Sequence, residues 1–385
     1  MQAAEHKKHA DLTKPSKGNF GRNEWAVLGT TCQDVKQLAE QIITKLSANY
    51  HCAYVDASHA GVGQSALLPG RLAAGAIAEY TDRINCHEFV FNGTWNAYRF
   101  KHMLNDADLI LVNGNHHQAR SQIVVIDQEK EASLRRRIHL LTDVQLFLLA
   151  DGMSTVFDFV KEAIPHWHEI PVFGLHEQDQ IVSFLKMKME SSASELNGLV
   201  LAGGMSLRFG SDKGKINWHG KDQRTYVAEL LQPFCAGVFI SCRESQQQEL
   251  SGSIPLLTDT FTGLGPFGAI LSAFRKKPDA AWLVVACDLP LIDEGVLRFL
   301  VSHRNQAAIA TAFKSPHDGL PEPLITIWEP KSYAVMLSFL AQGHSCPRKV
   351  LMNSEATIIQ PPFPEALINV NTQEEFKVAK AMLGN

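Results

Sequence analysis

Residues 201–215 read LAGGMSLRFGSDKGK and directly follow a short apolar run closed by Leu201. Ala202, Gly203 and Gly204 carry little or no side chain, so the backbone can approach an anion and aim amides at it. Arg208 and Lys213 add fixed positive charge shortly afterwards. Such charge suits a leaving pyrophosphate, on which negative charge accumulates. These residue types fit a triphosphate site. They also fit a tight turn with two surface cations, and a glycine loop alone does not separate the two.

A second chemical signal is Asp288, which ends the run AWLVVACDLP from Ala281 to Pro290. A continuous apolar run predicts a strand buried on both faces of a parallel sheet. An acid at its carboxyl end lies where open α/β sheets bind ligands, and it can hold Mg²⁺ together with phosphate oxygens. The competing role is a cap on the following helix. Thr258-Asp259 and the turn Gly263-Leu-Gly-Pro-Phe-Gly268 form a third candidate, entering a helix at Ala269–Phe274. A glycine turn before a helix N-terminus can hold a base or a phosphate, or be a plain loop.

The elements that must position these residues alternate between strand and helix patterns, which predicts α/β layering. In the first half, strands are expected at Trp25–Leu28, Ala53–Ala57, Glu88–Phe91, Asp108–Val112, Ile123–Asp127, Val144–Leu149 and Pro171–Phe173. Val35, Leu38, Ile42, Ile43 and Leu46 recur at helical spacing. In the second half, strands are expected at Gly198–Leu201, Gly237–Cys242, Ala281–Ala286, Ala307–Ala312, Leu324–Trp328 and Leu367–Val370. Thr372 and Glu375 make a capping box for a last helix.

At 385 residues the chain exceeds the size of one ordinary core, so two domains are expected. The charged, serine-rich stretch KMKMESSASELN marks the boundary. The division is 1–23 as a disordered lead-in, 24–186 as the first domain, 187–196 as linker and 197–385 as the second domain. A net charge of −4 gives no sign of nucleic-acid or membrane binding. The seven cysteines are scattered, without a Cys-x-x-Cys pair, which favours reduced thiols over a disulfide framework or clustered zinc. No apolar h-region opens the chain, so a cytoplasmic location is expected.

Taken in order, LAGG, S-x-R-x-G-x-D-K-G, G-P-x-x-A, C-D-x-P and N-V-N-T-x-E-E resemble the MobA family of molybdenum cofactor guanylyltransferases. They stand at Leu201–Gly204, Ser206–Gly214, Gly265–Ala269, Cys287–Pro290 and Asn369–Glu375. The resemblance implies that Leu201, Ala202 and Gly203, with Gly204, contact the nucleotide. It implies that Lys213 and Asp259 bind GTP and that Asp288 binds GTP and Mg²⁺. Related cytidylyltransferases carry LAAG, so Gly203 and the Gly265–Gly268 turn favour guanine. Ser241 stands where the family often has an Asn, as a weaker nucleotide contact. Arg208 and Arg348 are the pterin-side candidates, and Asn369 and Asn371 candidates near the metal or α-phosphate. The implied reaction is attack of the molybdopterin terminal phosphate on GTP. Implied partners are molybdopterin and molybdoenzymes or their chaperones. A CTP- or sugar-phosphate-specific transferase and a non-catalytic delivery adaptor are the alternatives.

The first half resembles MobB, a P-loop GTP-binding partner of such enzymes, through a strand leading to Gly29 and through ADLILVNG at Ala107–Gly114. The expected fold is therefore two Rossmann-like α/β domains, the first P-loop-like and the second a nucleotidyltransferase with a mostly parallel sheet. Asn113 replaces the family's carboxylate. Within Gly29–Lys36, Asp34, Val35 and Lys36 occupy the Walker A glycine, lysine and hydroxyl positions. The reading is a degenerate P-loop without GTPase activity. His116 and His117 are expected to be solvated on a loop.

Overall fold

The computed structural model describes residues 19–57, 70–93, 101–202, 213–250 and 252–384. It forms two compact units, Met1–Ser191 and Ser192–Asn385. Among the described residues no helix is long and apolar enough to cross a membrane.

Unit 1 contains β1 (Glu24–Leu28), β2 (Cys52–Val55), β3 (Ala78–Asp82), β4 (His87–Phe91), β5 (Leu109–Asn113), β6 (Ser121–Ile126), β7 (Val144–Leu149) and β8 (Val172–Gly174). Six of them form a sheet ordered β2-β5-β1-β6-β7-β8, parallel throughout. β3 and β4 pair separately as an antiparallel ribbon. β1 and β5 are buried along their whole length, and their apolar runs Trp25–Leu28 and Leu109–Val112 suit a sheet covered on both faces. The helix Cys32–Leu46 buries Val35, Leu38, Ala39, Ile42 and Leu46 against one face, beside the helix Gln178–Ser191.

The turn after β1 is short. Gly29 adopts φ +96°, and a Cβ there would lie 2.2 Å from the Val125 carbonyl oxygen, so only glycine fits. Thr31 then caps the helix, accepting from the Asp34 amide at 3.1 Å. The Asp34 carboxylate accepts from the hydroxyls of Thr30 (3.0 Å) and Thr31 (2.5 Å). Gly29–Lys36 is thus a capping turn followed by the first helical residues, with an anion already seated at the helix N-terminus.

Residues 19–23, expected within a disordered lead-in, are held in place. Glu24 is only 2% exposed, and a buried carboxylate requires donors. It takes them from the backbone amides of Asn19 (2.9 Å), Phe20 (2.7 Å), Gly21 (3.3 Å) and Arg120 (2.8 Å). Residues 1–18 lie outside the described residues. Residues 187–191, expected as linker, continue the helix that ends at Ser191 because Met189 still reaches the core.

Unit 2 contains β9 (Leu196–Leu201), β10 (Gly237–Cys242), β11 (Leu256–Thr258), β12 (Ala281–Ala286), β13 (Ala310–Lys314), β14 (Pro321–Trp328) and β15 (Thr357–Ile359). Their order is β11-β10-β9-β12-β14-β13-β15. All neighbours are parallel except those of β14, which runs antiparallel to both β12 and β13. Two apolar clusters cover the two faces of this sheet. Leu367–Val370, expected as a strand, is a 3-10 turn ending at Leu367 and an extended segment outside the sheet. Leu367 and Val370 are buried, yet the Val370 amide bonds to the Asp288 carbonyl (2.9 Å) instead of to a neighbouring strand. The capping box at Thr372 and Glu375 is formed in both directions.

Glu24→Ala strips the acceptor from four backbone amides. It lowers the unfolding free energy of unit 1 by about 3 kcal/mol, read by urea denaturation. An unchanged midpoint would contradict the anchoring role.

Candidate active site

β9 is the pivot of unit 2. The chain leaves it for β10 and β11 on one side and returns as β12 on the other, so a topological switch lies at the carboxyl end of β9. Register brings the candidates together there. Leu201 pairs with Ser241 of β10 and with Ala286 of β12. Cys242 pairs with Thr258, the residue before Asp259. Leu201, Ser241, Asp259 and Asp288 therefore share one edge of the sheet.

Ala202 is buried, so what it presents to a ligand is backbone. Gly203, Gly204 and Arg208 lie outside the described residues. Lys213 opens a short 3-10 turn, Lys213–Lys215, leading toward the helix Gln223–Leu231.

Ser241 is buried and donates to Oδ1 of Asp259 at 2.8 Å. Its hydroxyl orients a second candidate. Burial pushes the Asp259 carboxyl above its ordinary value, while the Ser241 bond and the Arg243 charge pull it back in part. The turn after Asp259 is fixed by Ser272, whose hydroxyl oxygen accepts from the amides of Thr260 (2.8 Å) and Phe261 (3.1 Å). Gly268 packs so tightly there that a Cβ would sit 2.1 Å from the Phe261 carbonyl oxygen.

Asp288 follows the last residues of β12 and is half-buried. It lines a cavity of about 110 Å³ with Leu289, Glu322, Arg348, Leu367 and Asn369. The cavity joins Arg348 and Asn369 with Asp288. Asn371 lies apart from that lining, and its amide is bonded to Glu375 in the capping box (2.6 Å). Arg348 is gripped by two carboxylates, Asp318 at 2.8 Å and Glu322 at 3.2 Å. Glu322 was not a sequence candidate. Its signal was a single acid between two prolines at the head of an apolar strand, PEPLITIW. His219 and Gln223 were also missed. They donate to the carbonyls of Pro290 (2.8 Å) and Leu289 (3.0 Å), immediately after Asp288.

Among the described residues no three His, Cys, Asp or Glu side chains cluster as a metal cage. One carboxylate with an amide oxygen nearby is a donor set that suits Mg²⁺ carried in with phosphate oxygens.

Residues 198–357 match the family model of the MobA-like NTP transferase domain. The match covers every described candidate of the sheet edge from Leu201 to Asp288. The chain is 33% identical over 190 residues to a molybdenum cofactor biosynthesis bifunctional protein of Synechocystis sp., covering 49% of this chain and 55% of that relative. It is 28% identical to a molybdenum cofactor guanylyltransferase of Shewanella sp., covering 47% of this chain and 93% of the relative. The chain thus spans little more than half of the first relative and nearly all of the second. Molybdopterin-guanine dinucleotide biosynthesis protein A from Archaeoglobus fulgidus aligns at 23% identity with a TM-score of 0.42, over 49% of this chain and 98% of that one.

Gly268→Ala forces the Phe261 carbonyl away and costs about 1–3 kcal/mol, measured by thermal melting of the whole chain. Asp259→Asn tests the raised carboxyl. A folded pKa above the unfolded one gives stability that is present below the unfolded pKa and lost as pH rises through the folded pKa. Between about pH 4 and pH 7 the Asn variant should therefore lose less stability than the parent chain. Parallel losses would show that burial imposes no such cost.

Proposed function

We propose that unit 2 transfers GMP from GTP to the terminal phosphate of molybdopterin, giving a guanine dinucleotide form of the cofactor and pyrophosphate. The observation that supports this most is the gathering of Leu201, Ser241, Asp259 and Asp288 at one switch point, within the segment that matches the MobA-like NTP transferase model. The relatives' names supply the acceptor.

In this reading the molybdopterin phosphate oxygen attacks the α-phosphorus of GTP, a P–O bond forms, and the bond to the β-phosphate oxygen breaks. Loop amides from Leu201 to Gly204 and the Lys213 ammonium bind and align the triphosphate. Asp259, set by Ser241, holds the nucleoside end. Asn369 and Arg348 face the acceptor side from the cavity shared with Asp288, and Arg208 adds to the acceptor contacts. Asp288 would hold Mg²⁺, which when bound supplies neutralisation of the phosphate charge. No covalent enzyme intermediate is required.

Unit 1 is proposed as a degenerate MobB-like domain that does not hydrolyse GTP. Asp34 already fills the helix N-terminus where a phosphate would sit. Delivery of the product to molybdoenzymes belongs to the same proposal, as does a cytoplasmic location.

The test is Mg²⁺-dependent pyrophosphate release with molybdopterin as acceptor, using GTP and CTP separately. GTP alone should support turnover. Release with CTP alone would overturn the guanine assignment. Asp288→Ala should lower the rate by about 10³-fold, whereas Asp34→Ala should leave transfer unchanged. Near-normal transfer by the Asp288 variant would remove it from the site.

A further inference from the structure

Unit 1 gathers a second set of reactive side chains that the transferase reading does not use. They come from the carboxyl ends of three adjacent strands, β2, β5 and β1. Cys32 is the first residue of the fifteen-residue helix after β1. His116 follows β5, and Asp56 follows β2. Cys32 Sγ lies 3.2 Å from Nε2 of His116. The same nitrogen lies 3.8 Å from Oδ1 of Asp56. His116, expected to be solvated, has a side chain only 12% exposed. His117 instead packs edge-on against Phe20. The two histidines therefore do different things.

Each member is held by its own partners. Asp56 accepts from the Tyr54 hydroxyl (3.0 Å) and the Ala57 amide (2.8 Å), with Lys36 at 3.5 Å. The Asn115 side chain donates toward Cys32 Sγ at 3.8 Å and to the Thr30 carbonyl at 3.0 Å. Arg137 in turn donates to the Asn115 side-chain oxygen at 3.2 Å. Such support positions the Cys32 thiol and the Asp56 carboxylate.

Sγ stands within hydrogen-bond reach of Nε2, so the imidazole can take the thiol proton, the pairing of nucleophile and base that activates a cysteine. Asp56 approaches that same nitrogen and adds charge beside it without holding the ring from its other side. The location adds to it. The carboxyl edge beside the strand-order switch is where open parallel sheets receive ligands. Cys32 is partly exposed, so a small molecule can reach it.

We propose that Cys32 and His116 form a nucleophilic thiol site in unit 1 for the electrophilic carbon of an activated acyl group. In the step, His116 Nε2 takes the thiol proton and Sγ attacks the ester carbonyl carbon. A thioester S–C bond forms, the C–O bond breaks, and the alcohol oxygen leaves with the electron pair and then takes the proton from His116. No oxidant or reductant enters. The site is independent of the transferase reading.

The probe is p-nitrophenyl acetate with the full chain, followed by mass spectrometry of all seven cysteines. A stoichiometric burst of p-nitrophenolate is expected, with the acetyl group on Cys32 at least about tenfold ahead of the exposed Cys86 and Cys346. Cys32→Ala should abolish the burst, and His116→Ala should slow it by about 10²-fold. The comparison among cysteines in the unsubstituted chain stands even if a variant fails to fold. Labelling of Cys32 no faster than of Cys86 and Cys346 overturns the proposal, as does an undiminished burst in a folded Cys32 variant.

Discussion

Where β12 ends, the backbone carbonyls of the next residues lose their sheet partners, and a partly buried chain must find donors for them elsewhere. Three elements provide those donors. The Val370 amide bonds to the Asp288 carbonyl, Gln223 to that of Leu289, His219 to that of Pro290, and the Tyr226 hydroxyl to that of Ile292. Three of the four donors are side chains in or just before the helix Gln223–Leu231, and the fourth comes from the C-terminal segment. His219 must carry its proton on Nε2 to serve, and it stacks on Tyr226 with ring centroids 3.7 Å apart. The turn that presents Asp288 is thereby tied to the helix following Lys213 and to Asn369. The candidate site is a shared solution to a backbone-satisfaction problem.

The two units place opposite electrostatics on equivalent edges. In both, a central parallel strand leads on toward a helix, through a short turn in unit 1, where the helix N-terminus is electropositive. Unit 1 supplies an internal anion there, since Asp34 accepts from Thr30 and Thr31. Thr30 Oγ1 also lies 2.8 Å from an Asp127 oxygen, so its single proton is shared between two carboxylates brought to the same point. A triphosphate arriving there would meet negative charge. Unit 2 leaves β9 through small residues and keeps its acids, Asp259 and Asp288, on the neighbouring strands.

Much of the sheet was legible because its strands are buried on both faces and therefore uniformly apolar. Ala281–Ala286, Gly237–Cys242 and Val144–Leu149 have the same limits in the sequence reading and in the structure. The three-residue strands β11 and β15 were not legible, because such short segments carry no periodicity and, unlike β8 with its Val-Phe pair after a proline, have polar residues at their ends. Leu367–Val370 misled for a related reason. Buried apolar residues in an extended run look like a strand, and pattern alone does not reveal which partner receives their amides. The grouping of Asp259 with Ser241 and of Asp288 with Leu201 followed from parallel topology. The grip of Asp318 and Glu322 on Arg348 did not, since it depends on how the β13–β14 hairpin meets a helix far along the chain.

That grip and the raised Asp259 carboxyl describe how the site is set for ligands. Arg348 is held by two carboxylates, so its planar fork is already oriented. Asp259 is costly to keep ionised, because burial outweighs the help from Ser241 and Arg243. A ligand donor bonding to it would recover part of that cost, whereas a ligand presenting an acceptor would add to it. Guanine presents an amino and an imino donor on one edge, and a carboxylate is the acceptor that matches such a pair. In the proposed reading, where Asp259 meets the base, this half-buried acid suits an edge that donates twice, which cytosine, with a single exocyclic amino group, does not offer.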